Sequence, residues 1–138
     1  MTDYALTLAV FDAGEARDKL REATRVVLDL EAAYEAAVKE AAETEAFYRI
    51  RLAETFRAHR DTGAAVEAAN TLARGECANE SKARDQAAGM LKLAGEKLEN
   101  ARDTRRSLWR LVEWARDRDL ATVRAGQQLT SANASWPS

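Results

Sequence analysis

Hydrophobic residues recur every seven positions through the first half of the chain. The repeat consists of Leu20, Val27, Tyr34, Ala41 and Tyr48, with Val38 and Leu52 on a neighbouring row. This spacing places the side chains on one face of a helix. Neither proline nor glycine interrupts residues 15–60. The pattern therefore predicts one long helix over residues 15–60.

A second repeat of the same kind predicts another helix, from about residue 64 to about residue 123. Its members are Val66, Ala73, Ala87, Ala94, Ala101, Leu108 and Ala115, with Leu91, Leu98 and Val112 on the next row. Asp61, Thr62 and Gly63 separate the two helices, and glycine suits the left-handed conformation that ends many helices. Glycine inside a helix costs ~1 kcal/mol relative to alanine, so we expect a kink within residues 75–81, which begin with Gly75.

Two long helices joined by a short turn predict an all-α fold, a long antiparallel helical hairpin over residues 15–123. We expect an N-terminal arm over residues 1–14 and a disordered tail over the polar residues 124–138. Alanine dominates the facing rows and buries little apolar area, at ~25 cal/mol per Å². The other faces of such a hairpin are therefore expected to need a partner.

The last part of the second predicted helix carries a candidate C-terminal amphipathic oligomerisation segment. Its residues are Leu108, Trp109, Leu111, Val112 and Trp114. Two tryptophans in one short segment exceed what an interface between two helices buries, which indicates a homo-oligomer. The alternative is that this segment folds back on residues 6–11.

The residue composition argues against several classes of protein. The only cysteine, Cys77, forms no disulfide within the chain and no cysteine metal cage, and the only histidine, His59, stands without a catalytic or ligand set. No Gly-rich phosphate loop, metalloprotease motif or nucleophile elbow occurs. We expect a protein that is not an enzyme, with no catalytic residue, metal or cofactor. The lack of a long apolar run or basic leader predicts a cytoplasmic protein that does not enter a membrane.

A basic and aromatic segment, residues 46–60, is the candidate nucleic-acid site, although the net charge of the chain is −2. The proposed contacts are Tyr48, Arg49, Arg51, Arg57 and Arg60. Cations that follow the phosphates and rings that stack on bases are what single-stranded nucleic acid requires. Helical spacing places Arg49, Arg57 and Arg60 near one face, with Arg51 directed elsewhere. The alternative is that Tyr48 faces the other helix and the arginines are ordinary surface charges.

The tetrapeptide Arg49-Ile50-Arg51-Leu52 is similar to the Lys-x-Arg-Leu motif for single-stranded DNA in the UvsY-like recombination mediators of tailed phages. The size, the helix–turn–helix-like layout and a late Arg105-Arg106-Ser107 before an apolar segment add to this resemblance. It covers residues 20–120 diffusely. The family has lysine where Arg49 stands and an aromatic pair at the positions of Glu54 and Thr55, whereas here Phe56 follows one residue later.

The resemblance implies a small oligomeric ring, built through the C-terminal segment, that binds single-stranded DNA. Such proteins help a strand-exchange recombinase replace the single-strand-binding protein in phage recombination and repair. They need no cofactor, since ATP hydrolysis belongs to the recombinase, and a phage-encoded member works in the host cytoplasm. Two alternatives stay open: a structural or scaffolding coiled-coil protein, and an acidic inhibitor that binds the basic groove of another protein. Salt-dependent binding to single strands separates the first reading from the other two.

Overall fold

The computed structural model describes residues 13–134, with side chains described for residues 14–131. This part of the chain consists of α1 (Ala13–Asp61), α2 (Val66–Glu76) and α3 (Ala78–Ala134), and it contains no strand. The predicted all-α fold is therefore confirmed. Most of the predicted N-terminal arm, residues 1–12, lies outside the described residues, as do the possible partner residues 6–11 of the C-terminal segment. None of the described helices is long and apolar enough to cross a membrane.

The chain divides into two compact units. The central unit spans Leu28–Glu99, and the terminal unit combines Met1–Val27 with Asn100–Ser138. Both α1 and α3 contribute residues to each unit, whereas α2 belongs to the central unit alone.

In the central unit, α1 runs antiparallel to α2 and α3. Three contacts show this: the Tyr34 ring lies beside Gly95, Glu45 is 3.7 Å from Arg84, and Thr55 Oγ1 is 3.6 Å from Cys77 Sγ. Residue numbers in α1 rise as those of the partner residues fall. The predicted antiparallel hairpin is thus confirmed within this unit.

The seven-residue rows supply most of the buried side chains. Among the described residues, the buried apolar side chains are Ala16, Val27, Ala69, Ala73, Cys77, Ala87, Leu98 and Ala115. Intervening row positions are half-buried, as at Leu91. Three residues assigned to the rows are exposed instead: Tyr34, whose ring lies beside Gly95, Val38, which lies at the flank of its row, and Val66, the first residue of α2. The core is consequently narrow and rich in alanine.

The turn and the helix interruption follow the expected chemistry. Gly63 has a φ of 95°, a left-handed conformation that costs glycine little, and its N–H donates to the Arg60 carbonyl at 3.0 Å. Cys77 separates α2 from α3. The N–H of Cys77 still donates to Ala73, and its carbonyl accepts from Ser81. Within residues 75–81, where the sequence predicted a kink, the helix is therefore interrupted at Cys77 while the helical hydrogen bonding continues across it.

The predicted C-terminal boundary is wrong. Helix α3 continues past Val123 to Ala134, so residues 124–134 are not the disordered tail that their polarity indicated. Arginine, alanine, glutamine and leucine are good helix formers, and a lone Gly126 costs only ~1 kcal/mol.

Candidate nucleic-acid interface

Three of the predicted arginines share an exposed strip near the C-terminal end of α1. Arg57 and Arg60 follow Arg49 by eight and eleven residues, so about 3.6 residues per turn bring all three to neighbouring positions on one side of the helix. All three are exposed, and the Arg49 side chain retains 76% of its accessible surface. We call Arg49, Arg57 and Arg60 the arginine strip.

Phe56 lies on the same side of α1 as the arginine strip. It follows Arg49 by seven residues and precedes Arg60 by four, which places it on the same side of α1. Its side chain is half-buried. The sequence prediction did not assign Phe56 to the site, although its spacing from the two arginines was a usable signal.

The structure does not place Arg51 in the strip. Arg51 Nε lies 3.7 Å from Glu80 of α3, and Arg51 Nη1 lies 3.9 Å from Glu54. Glu80 retains only 19% of its side-chain surface, so Arg51 supplies the positive charge next to a largely buried carboxylate. Arg51 therefore forms ion pairs within the protein, and because its side chain keeps 45% of its accessible surface, the DNA contact stays a prediction.

The ring of Tyr48 is also committed within the protein. The guanidinium carbon of Arg84 lies 4.3 Å from the ring centroid, a distance typical of a cation–π contact. Arg84 also donates to Asp85 at 3.1 Å and lies 3.7 Å from Glu45. The hydrogen bond to Asp85 raises the pKa of the Arg84 guanidinium. Tyr48 thus offers at most one ring face to a base, and its contact with Arg84 of α3 agrees with the alternative that Tyr48 faces the other helix.

Folding adds carboxylates to the basic segment. Arg49 Nε is 2.7 Å from Glu45 Oε1, and His59 Nε2 is 2.8 Å from Glu76 Oε1. Arg60 donates to the Ala64 carbonyl at 2.9 Å, while no ion pair of Arg57 is found among the described residues. Exposed ion pairs contribute only about 0.2–1 kcal/mol. A phosphate can therefore replace Glu45 at Arg49 at small cost.

The predicted oligomerisation residues divide into two groups. Leu108, Leu111 and Val112 are half-buried within the described chain, whereas Trp109 and Trp114 are 54% and 41% exposed. Trp109 Nε1 donates to Glu113 at 2.9 Å, and Arg118 lies 5.1 Å from the Trp114 ring centroid. The half-buried members already pack within one chain, so the exposed Trp114, which lines none of the grooves described below, is the better candidate for a contact with another subunit.

The described residues contain no group of three histidine, cysteine or acidic side chains arranged to hold a metal ion. Cys77 is fully buried next to Thr55, and His59 is half-buried beside Glu76. Neither residue joins a catalytic set in this part of the chain.

Replacing Cys77 with serine should change the free energy of unfolding by no more than about 1 kcal/mol. Serine is slightly smaller, and its hydroxyl can exchange a hydrogen bond with Thr55 Oγ1, which lies 3.6 Å from Cys77 Sγ. Urea denaturation of Cys77→Ser and wild type measures the difference. Cys77→Leu is the matched control, because overpacking this fully buried position should cost about 1–3 kcal/mol. Loss of a bound metal in Cys77→Ser would show a role that the prediction denies.

No protein-family model matches the chain, and neither a curated protein nor a solved structure matches it.

Proposed function

We propose that this protein is an oligomeric, non-enzymatic, single-stranded DNA-binding recombination mediator. The observation that carries the proposal is the arginine strip, in which three exposed arginines share one side of α1 with the half-buried Phe56. The similarity of Arg49-Ile50-Arg51-Leu52 to the family motif supports the same function. It is also the source of the proposed action, which is to help a recombinase displace a single-strand-binding protein.

The strip suits a strand rather than a small anion. Arg49 and Arg60 are eleven residues apart, which corresponds to ~16 Å along the helix axis. Guanidinium groups at this separation contact different phosphates of one strand and lie too far apart to hold one phosphate together. A base directed toward α1 between these phosphates meets Phe56, and stacking of this kind tolerates any base. The expected binding therefore depends on salt and only weakly on sequence.

Oligomerisation strengthens weak contacts of this kind. Each subunit contributes one arginine strip. Once a long DNA strand has bound one strip, the strips of the other subunits are at high effective concentration, which raises the overall affinity. The exposed Trp114, Leu120, Val123 and Leu129 of α3 are candidates for the subunit contacts. A homo-oligomer is accordingly part of the proposal.

The double variant Arg49→Ala/Arg57→Ala should bind single-stranded DNA more weakly and with a shallower salt dependence. Each lost phosphate contact lowers the slope of log K against log[salt] by ~0.7, so two lost contacts lower it by ~1.4. Fluorescence anisotropy of a labelled oligothymidylate and a mixed-sequence oligonucleotide, each titrated at several salt concentrations, measures the effect. Both oligonucleotides should lose affinity by similar factors.

Lys39→Ala/Lys92→Ala is the matched control, because it removes two exposed positive charges from the same unit outside the strip. It should keep most of the wild-type slope. Arg51→Ala should act differently from both variants, because it leaves the largely buried carboxylate of Glu80 without its nearby positive charge. We expect it to lower the free energy of unfolding and to change the salt slope less than Arg49→Ala/Arg57→Ala does. A wild-type protein that does not bind a long oligonucleotide even at low salt contradicts the proposal.

A scaffolding protein is the second candidate, and one observation favours it. Many large apolar side chains are exposed on the described helices, including Phe47 and Ile50 at 57% and Met90 at 63%, which is typical of a surface that a partner covers. This candidate predicts oligomers without binding to single strands. Light scattering combined with the anisotropy titration therefore separates the two functions.

A further inference from the structure

A groove in the terminal unit combines positive charge with an aromatic ring. It has a volume of about 380 Å³ and is lined by Leu20, Thr24, Arg102, Arg105, Arg106 and Trp109. We call this the terminal groove. All six residues belong to the same compact unit, and none of them lies in the arginine strip.

The sequence of α3 creates one wall of the terminal groove. Arg102, Arg105, Arg106 and Trp109 stand at positions i, i+3, i+4 and i+7, the spacing that places side chains on one side of a helix. Leu20 and Thr24 of α1, four residues apart, supply the opposite wall. The Thr24 hydroxyl donates to the Leu20 carbonyl at 2.9 Å, so this wall presents mainly apolar atoms to the groove.

Two charged groups of the groove, those of Arg105 and Arg106, are accessible to an anion. Arg105 is half-buried, and among the residues that the structure describes no carboxylate forms an ion pair with it. Arg106 lies 3.3 Å from Asp103, and both of these side chains are more than 60% exposed. An exposed pair of this kind is easily exchanged, so a phosphate has access to both guanidinium groups.

Trp109 is positioned as a stacking surface. The hydrogen bond from its Nε1 to Glu113, at 2.9 Å, holds the indole ring, which nevertheless remains 54% exposed. Leu20 provides apolar surface across the groove. A flat ring that enters between them buries apolar area on two sides.

We propose that the terminal groove is a second contact for single-stranded DNA, in which one base stacks on Trp109 and an adjacent phosphate binds Arg105 and Arg106. This inference rests on the proposed function and adds a site outside the arginine strip. A nucleotide uses both features of the groove, since guanidinium groups bind phosphate oxygens bidentately and indole stacks on a base. An acidic peptide would use the charges alone. The volume lies in the range of pockets that hold a small ligand.

Intrinsic fluorescence of the full-length protein tests the groove directly. In a Trp114→Phe/Trp136→Phe background, Trp109 is the only tryptophan and reports on its own ring. Addition of unlabelled oligothymidylate should quench this emission, and Arg105→Gln/Arg106→Gln in the same background should weaken the quenching. The matched control is Arg110→Gln/Arg124→Gln, which removes the same charge from exposed positions on α3 outside the groove.

Trp109→Leu, made in the wild-type chain, should weaken oligonucleotide binding in the anisotropy titration by about 5- to 100-fold, the effect of one lost stacking contact. The charge, and with it the salt slope, stays unchanged. Circular dichroism and light scattering of each variant establish that helix content and assembly are retained. If Trp109→Leu alters either one, Arg105→Gln/Arg106→Gln supplies the decisive measurement, because its substitutions are polar and lie on the helix surface.

The outcomes distinguish this inference from the proposed function. If wild type binds the oligonucleotide and Arg49→Ala/Arg57→Ala flattens the salt slope, but Trp109 emission does not change, the groove proposal fails and the proposed function stands. An Asp- and Glu-rich peptide that quenches Trp109 where oligothymidylate does not would assign the groove to a protein partner. Failure of wild type to bind any single strand overturns both.

Discussion

Replacing Leu98 with alanine should lower the free energy of unfolding by about 2–5 kcal/mol, the usual range for a buried leucine. Leu98 retains 4% of its accessible surface, and it is the only leucine among the buried side chains of the described chain. The other buried apolar residues there are five alanines, Val27 and Cys77, and none of these can fill the space left by an isobutyl group. Urea denaturation followed by circular dichroism measures the loss.

Leu93→Ala is a matched control for this substitution. The same atoms are removed from the same helix and the same unit, but Leu93 is 46% exposed. Its loss should be well below that of Leu98→Ala, because less apolar surface returns to water and no closed cavity forms. Equal losses in the two variants would show that assembly buries Leu93 as deeply as the fold buries Leu98.

Deleting residues 120–138 should weaken self-association by tenfold or more without unfolding the remaining chain. Every described residue from 119 to 131 is exposed, and no buried side chain follows Ala115 in the described part of α3. The deletion removes Leu120, Val123 and Leu129, which are 47%, 56% and 68% exposed. A tenfold effect needs only ~1.4 kcal/mol, less than the full burial of one such side chain contributes.

Sedimentation velocity over a range of micromolar concentrations measures this change in association. The full-length variant Leu120→Gln/Val123→Gln is the companion, because it keeps the length of α3 and removes only apolar surface. Both proteins should shift toward the monomer. A wild-type protein that sediments as a monomer contradicts the proposed homo-oligomer. If the wild type self-associates and both profiles are unchanged, this end of α3 is excluded from the subunit contact, which leaves Trp114 as the predicted contact.

The candidate site shows where sequence reasoning succeeds and where it stops. Helical spacing alone placed Arg49, Arg57 and Arg60 together, because positions along one helix are fixed by its regular geometry. The same spacing places Phe56 on this side of the helix, although the sequence prediction did not assign Phe56 to the site. The commitment of Arg51 to Glu80 and of Tyr48 to Arg84 depends on which residues of a second helix lie opposite. No property of residues 46–60 specifies those partners.

The sequence by itself determined the helices, the turn at Gly63 and the helix interruption within residues 75–81. These features follow from local helix propensity and from a seven-residue hydrophobic repeat, which can be recognised within one helix without knowledge of its partner. The sequence did not determine where α3 ends. A polar helix end made of good helix formers has the same composition as a flexible polar tail, so composition does not separate the two. Only the tertiary structure decided the charge around the basic segment, since Glu76 and Glu80 approach His59 and Arg51 once the antiparallel register aligns residues far apart in the chain.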